Sequence, residues 1–150
     1  MIYRLVYISR CAVSPVPDAV AGIARTSLSY NARVGITGFL YFDEDAFIQE
    51  IEGVREDVEA LYSKIAADAR HSDVRVLLSQ DAQTRVFGEW SMAFYDGQAS
   101  NNLIRERFGA DFLDSMSERD GSEILRTLRE LSLSNDPSAA DLGALSMDNA

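Results

Sequence analysis

The chain has 150 residues and a formal net charge of −10, with 47% hydrophobic and 25% charged residues, the profile of one globular domain with short extensions. That acidity argues against a surface for nucleic acid or for an anionic membrane, both of which are held mainly by Lys and Arg, and a single histidine with a single cysteine leaves no His/Cys set for zinc or a redox metal. No apolar run reaches the roughly 18 residues of a membrane span, and the lone Cys11 excludes an internal disulfide and suits a reducing compartment, so a cytoplasmic location without export is expected.

Residues 2–9 alternate as a strand, with Tyr3, Leu5, Tyr7 and Ser9 on one face and Ile2, Arg4, Val6 and Ile8 on the other. Both faces are largely apolar, so both need cover. Ser14-Pro15-Val16-Pro17-Asp18 carries helix-start chemistry, with prolines in the first turn and an acid near the positive end of the dipole. Val16, Val20, Ile23, Ser27 and Asn31 follow at helical spacing, a stripe that begins apolar and ends polar. The helix ends over 31–35, and 35–42 reads as a second strand whose glycines point to a close backbone approach or a bulge. The acidic tip Asp43-Glu44-Asp45 lacks the ligand spacing of a calcium loop and reads as a solvated turn.

The tip returns the chain into a third strand over 46–53, with Phe47, Gln49 and Ile51 on one face and Ile48, Glu50 and Glu52 on the other. Gln49 therefore sets an amide in an apolar stripe, where lacking partners would cost about 1–3 kcal/mol. A second helix is expected from Gly53 to about Arg70, with Val54, Val58, Leu61, Ile65 and Ala69 inward. A fourth strand over 73–80, apolar on both sides, and a fifth over 90–95, with Trp90, Met92 and Phe94 facing one way, complete the series. This is the α+β, ferredoxin-like β-α-β-β-α-β plan with an added strand and two helices on one sheet face. The plan sets the first strand beside the third, so Tyr7 and Gln49 could meet, since opposed side chains stand about 5 Å apart.

Residues 102–134 are helical in pattern, through Leu103, Ile104 and Phe108, then Phe112, Leu113 and Met116, then Ile124, Leu125, Leu128 and Leu131, with breaks near Gly109 and Gly121. These helices are the natural cover for the second sheet face, from the same chain or swapped across a dimer. Residues 135–150 are small and polar and read as a flexible tail. The expected organisation is a domain over 1–97, a helical extension over 98–134 and the tail.

Catalysis is not expected, because no nucleophile stands beside a base and no Walker or dinucleotide glycine loop is present. What remains is a set of uncharged hydrogen-bonding groups sent inward: Tyr7, Ser27, Asn31 and Gln49. They suit a flat heteroaromatic ligand held by its edges. Taken one at a time, each also fits a plainer role, as a strand tyrosine, a helix-ending asparagine or an amide bonded to backbone.

Together these residues resemble the BLUF family, sensors of blue light using FAD. The resemblance rests on Tyr7 in the first strand, Asn31 shortly before Gly35-Ile36-Thr37-Gly38, and Gln49 in Phe47-Ile48-Gln49-Glu50-Ile51-Glu52-Gly53. Arg70-His71 after the second helix and Trp90-Ser91-Met92 in the fifth strand complete it over residues 1–97. It implies an isoalloxazine ring between the two helices, its dimethylbenzene part against Ile23 and Ile65. It also implies Asn31 on one carbonyl and imide edge, Arg70 on the other carbonyl, Ser27 in the same stripe, and His71 and Lys64 near the ring or the phosphate-bearing chain. Tyr30 stands where members of the family vary.

The resemblance further implies that Tyr7 yields an electron and then a proton to the excited flavin, that Gln49 reverses its donor and acceptor ends, and that Met92 and Trp90 relay the change to the C-terminal helices. The output would be a downstream partner protein, with a homodimer or larger homo-oligomer as the assembly. Residues beyond 97 are too few for a cyclase or phosphodiesterase domain, so a stand-alone receptor is expected. Two other readings are a small hydrolase of the acylphosphatase kind, built on Arg10 after the first strand but lacking the glycine of a phosphate cradle, and a flavin-free interaction module.

Overall fold

Two apolar faces on the central strands call for three layers, and a computed structural model, which describes residues 1–14, 16–88, 93–97, 102–133 and 140–141, has them. The strands are β1 (Ile2–Cys11), β2 (Thr37–Asp43), β3 (Ala46–Gly53), β4 (His71–Ala82), β5 (Ala93–Asp96) and β6 (Ala140–Asp141). They form one sheet in the order β4-β1-β3-β2-β5-β6. β1 lies antiparallel to both β3 and β4, and β2 pairs parallel with β5. The fold is α+β and ferredoxin-like, as the pattern predicts.

The helices α1 (Val16–Val34) and α2 (Arg55–Ala67) cover the first face, burying Val20, Ile23, Val58, Leu61 and Ile65 against Tyr3, Leu5, Tyr7, Phe47 and Ile51. Over the second face lie α3 (Leu103–Phe108), α4 (Phe112–Ser115) and α5 (Gly121–Leu133). Ile104, Phe112, Met116, Ile124, Leu128 and Leu131 meet Val6, Ile8, Phe39, Tyr41 and Ile48 there. The cover thus comes from the same chain. Gly38 permits the close approach expected of β2, since a Cβ there would stand 2.0 Å from the Glu50 carbonyl oxygen. Gly109 ends α3 at a positive φ of 94°, a conformation glycine adopts without strain.

Several expectations need correction. Val54 is 52% exposed and Ala69 is also exposed, because α2 ends at Ala67 and leaves both residues off its buried face. β4 is an edge strand, apolar on both sides as expected but less deeply buried: Val74 and Val76 are half-buried against the α1–α2 layer, and Leu77, fully inside, and the half-buried Leu78 pack toward the other layer. The tip of the β2–β3 hairpin is only partly solvated. Asp43 is buried and accepts hydrogen bonds from Asn102 Nδ2 at 2.7 Å and Arg105 Nε at 2.6 Å, which pins the start of α3 to the hairpin. Within the segment read as a tail, Ala140–Asp141 pairs with β5. Trp90 and Met92 lie outside the described residues.

Gly121 fixes how closely α5 approaches the sheet, since a Cβ there would meet the Leu77 carbonyl oxygen at 2.1 Å. Gly121→Ala is expected to lower stability in urea unfolding by about 1–3 kcal/mol through overpacking against backbone. The exposed neighbour Ser122→Ala should stay within about 0.5 kcal/mol of wild type.

Candidate functional site

The polar end of the α1 stripe and the inner face of α2 meet across a cleft of about 280 Å³. Ile23, Ser27, Tyr30 and Arg33 line it from α1, Leu61, Lys64 and Ile65 from α2, and Asp68, Arg70 and His71 from the turn into β4. Six residues singled out in the sequence, Ile23, Ser27, Lys64, Ile65, Arg70 and His71, therefore share one cleft. Tyr7, Asn31 and Gln49 do not line it; they are buried behind it.

The β1–β3 register sets Tyr7 directly opposite Gln49, and the Tyr7 hydroxyl donates a hydrogen bond to Gln49 Oε1. The phenol packs edge-on to His71, a wall of the cleft, at 6.2 Å between ring centroids, and to Tyr62 at 6.0 Å. Burial, reinforced by Tyr62 and the Asp68 carboxylate, pushes the Tyr7 pKa far above that of a free phenol, so the group stays protonated. His71 shifts the other way. Burial lowers its pKa, with Asp68 opposing and Arg70 adding to the effect, and the neutral ring sets Nδ1 2.8 Å from Ser9 Oγ.

Four contributors went unrecognised in the sequence. Asp68 grips Arg70 through Nε at 3.0 and 3.1 Å and through Nη2 at 2.6 Å, and that bond holds its carboxyl below the usual range. An acid and a base two apart at a helix end was the available signal. Ser9 shares the inward face of β1 with Tyr7, and the pairing of Cys11 with His71 brings the histidine to it. Tyr62 carries no distinguishing pattern. Arg33 joins Lys64 on the ring of Tyr30, at 5.9 and 4.1 Å from its centroid, which gathers two cations at the cleft.

Arg10, on which a phosphate-binding hydrolase would depend, is instead bonded to Asp45 at 2.8 Å and Asp114 at 3.0 Å. Among the described residues no group of His, Cys, Asp and Glu could hold a metal ion. No described helix is long and apolar enough to cross a membrane.

Comparison with known proteins gives the family. Residues 2–93 match the profile of BLUF, sensors of blue light using FAD, and the chain belongs to that family, whose cofactor is FAD. The photoactivated adenylate cyclase subunits beta and alpha of Euglena gracilis are 37% and 36% identical over 92 and 91 residues, 59% of this chain in each case. The chain spans only 11% and 9% of those relatives. BlrB, a BLUF protein solved in its dark state, is 28% identical with a TM-score of 0.71, over 88% of this chain and 97% of that one. BlsA in its photo-activated state is 26% identical with a TM-score of 0.72, over 86% and 95%. A bacterial light-regulated adenylyl cyclase is 28% identical with a TM-score of 0.66, over 88% of this chain and 36% of the cyclase.

Because the folded state resists protonating His71, stability that depends on the neutral ring is present at high pH and is lost as pH falls below about 6.5, where the unfolded histidine takes a proton. The advantage of wild type over His71→Gln in melting temperature should therefore narrow between about pH 7.5 and about pH 5.5, the range that spans an unperturbed histidine.

Proposed function

We propose that the cleft between α1 and α2 takes the flavin ring of FAD and that blue light acts through the hydrogen bond from Tyr7 to Gln49. One observation carries this reading: a phenol and a carboxamide on neighbouring strands, both withdrawn from solvent, are bonded to each other behind the cleft. The cleft's volume stands near the lower end of the roughly 300–1,000 Å³ of ligand pockets. Its apolar walls, Ile23, Leu61 and Ile65, and its polar Ser27, Asp68 and Arg70 suit a flat ring with one greasy end and polar edges.

Ile23 and Ile65 would take the dimethylbenzene part, with Asn31, Ser27 and Arg70 toward the polar edges. Lys64 and Arg33 would serve the phosphate-bearing chain, where cations match its charge, and the neutral His71 would lie near the ring. Bound FAD would supply the absorption of blue light and, once excited, a one-electron oxidant. Tyr7 is protonated at any working pH, and a phenol that has lost an electron is a strong acid, so its proton would pass to the oxygen it already faces, Gln49 Oε1, while the amide would release an Nε2 proton toward the cofactor. The phenol would regain a proton when the electron returns. Gln49 carries a donor and an acceptor end of nearly equal shape. Rotation or tautomerisation reverses them, and close packing holds the new pattern after the electron returns.

The register supports a route outward. Gln49 stands opposite Leu40 on β2, and Leu40 opposite Phe94 on β5, so one row of side-chain positions runs from Tyr7 across the sheet. Met92 and Trp90 precede Phe94 in sequence and would act with it as the relay. The C-terminal helices would present the output to a downstream protein in the cytoplasm, from a homodimer or larger homo-oligomer without catalysis of its own.

The FAD-loaded protein is expected to show a small, reversible red shift of its flavin absorption after blue light. Tyr7→Phe and Gln49→Ala should each abolish the shift while the protein stays yellow. Failure to take up FAD would contradict the cofactor assignment, and an intact shift in Tyr7→Phe would contradict the role given to the phenol.

A further inference from the structure

The second face of the sheet carries a buried acidic pair that the flavin cleft does not use. Glu50 and Glu52 are both 0% exposed and share the face of β3 opposite to that of Gln49. Glu52 is heavily engaged. It accepts from Phe87 N at 2.6 Å, Val86 N at 3.0 Å, Arg4 Nε at 3.3 Å and the Thr37 hydroxyl at 3.4 Å. Arg4 also donates to the Thr84 carbonyl at 2.8 Å, and Arg85 donates to the Glu52 carbonyl at 3.2 Å. Together these bonds clamp residues 84–87, the connection from β4 toward β5, onto the strand that carries Gln49.

Glu50 is placed differently. It sits opposite Val6 on β1 and Phe39 on β2, and neither of its carboxyl oxygens has a hydrogen-bond donor among the described residues. A bare carboxylate in such surroundings is far costlier than a neutral acid. The charged groups that act on it are Glu52 from its own strand, Arg4 from β1 and Arg85 from the connection. From α5, packed on the same face, come the apolar Ile124, Leu128 and Leu131. Burial first, and then the charge and contact of Glu52, favour the protonated form against the opposing pull of the two arginines. Glu50 therefore keeps its proton, while Arg4 stays bonded to the Glu52 carboxyl.

We infer that Glu50 is held protonated against Glu52 and that this pair is the positioning device tying the strand of Gln49 to the connection that leads to β5. The inference rests on the reading of Gln49 as the group that rearranges. Glu50 follows Gln49 directly in the chain, so a displacement of β3 that accompanies the rearrangement alters the contact between the two carboxyls. Glu52 then loosens its hold on the Val86 and Phe87 N–H groups. The chain runs from there to Trp90 and Met92.

The test uses the full chain loaded with FAD as wild type, as Glu50→Gln, which keeps a donor toward Glu52, and as Glu50→Val, which does not. In the dark, wild type should show a protonated-carboxyl infrared band that both variants lose. The melting temperature of Glu50→Gln should rise relative to wild type between about pH 5 and about pH 8, because above about 4.5 the unfolded chain releases a proton that the folded one must keep. Absence of the band, or a gap that stays constant with pH, overturns the protonated Glu50.

Under blue light, amide exchange at Val86 and Phe87 should speed up by about tenfold in wild type and Glu50→Gln, the loss of roughly one hydrogen bond to a charged group. In Glu50→Val the exchange should no longer respond although the flavin red shift still forms. A red shift in wild type with exchange unchanged overturns the coupling alone. If wild type gives no red shift, the photoreceptor reading fails and the coupling falls with it, while the dark measurements still decide the proton.

Discussion

The hydrogen bond between Tyr7 and Gln49 depends on a constraint that acts everywhere in a protein interior: a buried polar group must find a partner there. An amide in the apolar stripe of β3 and a phenol in that of β1 would each be a liability in another register. A slip of one residue between the two strands would send one of them to the opposite face and part the pair. The antiparallel pairing of β1 and β3 sets them opposite one another, and cover on both sides of the sheet removes them from solvent. What would be a defect in a purely structural core is, on the proposed reading, a two-ended switch behind a bound chromophore.

The same strand serves both layers. Its inward residues lie on the side of the cleft, while Glu52 on the opposite face clamps the connection toward β5. A buried ion pair such as Arg4 with Glu52 adds little net stability compared with well-packed apolar side chains. Its value lies in fixing a position: the connection can sit in one place only while both backbone N–H groups reach the same carboxylate. This places the stiffest polar anchor of the second face within a few residues of the most adaptable side chain of the first.

Much of the fold was legible because alternation and helical spacing are strong over the first 70 residues, and strand order brought Tyr7 and Gln49 to neighbouring strands, leaving the register to pair them. The cleft residues on α1 were likewise visible as a stripe turning from apolar to polar, while Lys64 on α2 came only with the family resemblance. Other features depended on information no local pattern carries. Val54 looks like a core residue until the helix is seen to begin just after it. Asp43 looks like a turn acid until Arg105 and Asn102 arrive from far along the chain. Glu50 and Glu52 were assigned to the correct face, but their complete burial depended on the connection folding back over them. Asp68 became legible only once Arg70 was seen bonded to it.

The most direct measurement is the light-minus-dark infrared difference spectrum of FAD-loaded protein in which only the tyrosines, or only the glutamine side chains, carry isotopic labels. The expected result is that each label moves bands in the difference spectrum, that tyrosine-derived bands vanish in Tyr7→Phe, and that glutamine-derived bands vanish in Gln49→Ala. A difference spectrum that forms on illumination yet ignores both labels would contradict the assignment of the switch to this phenol and this carboxamide.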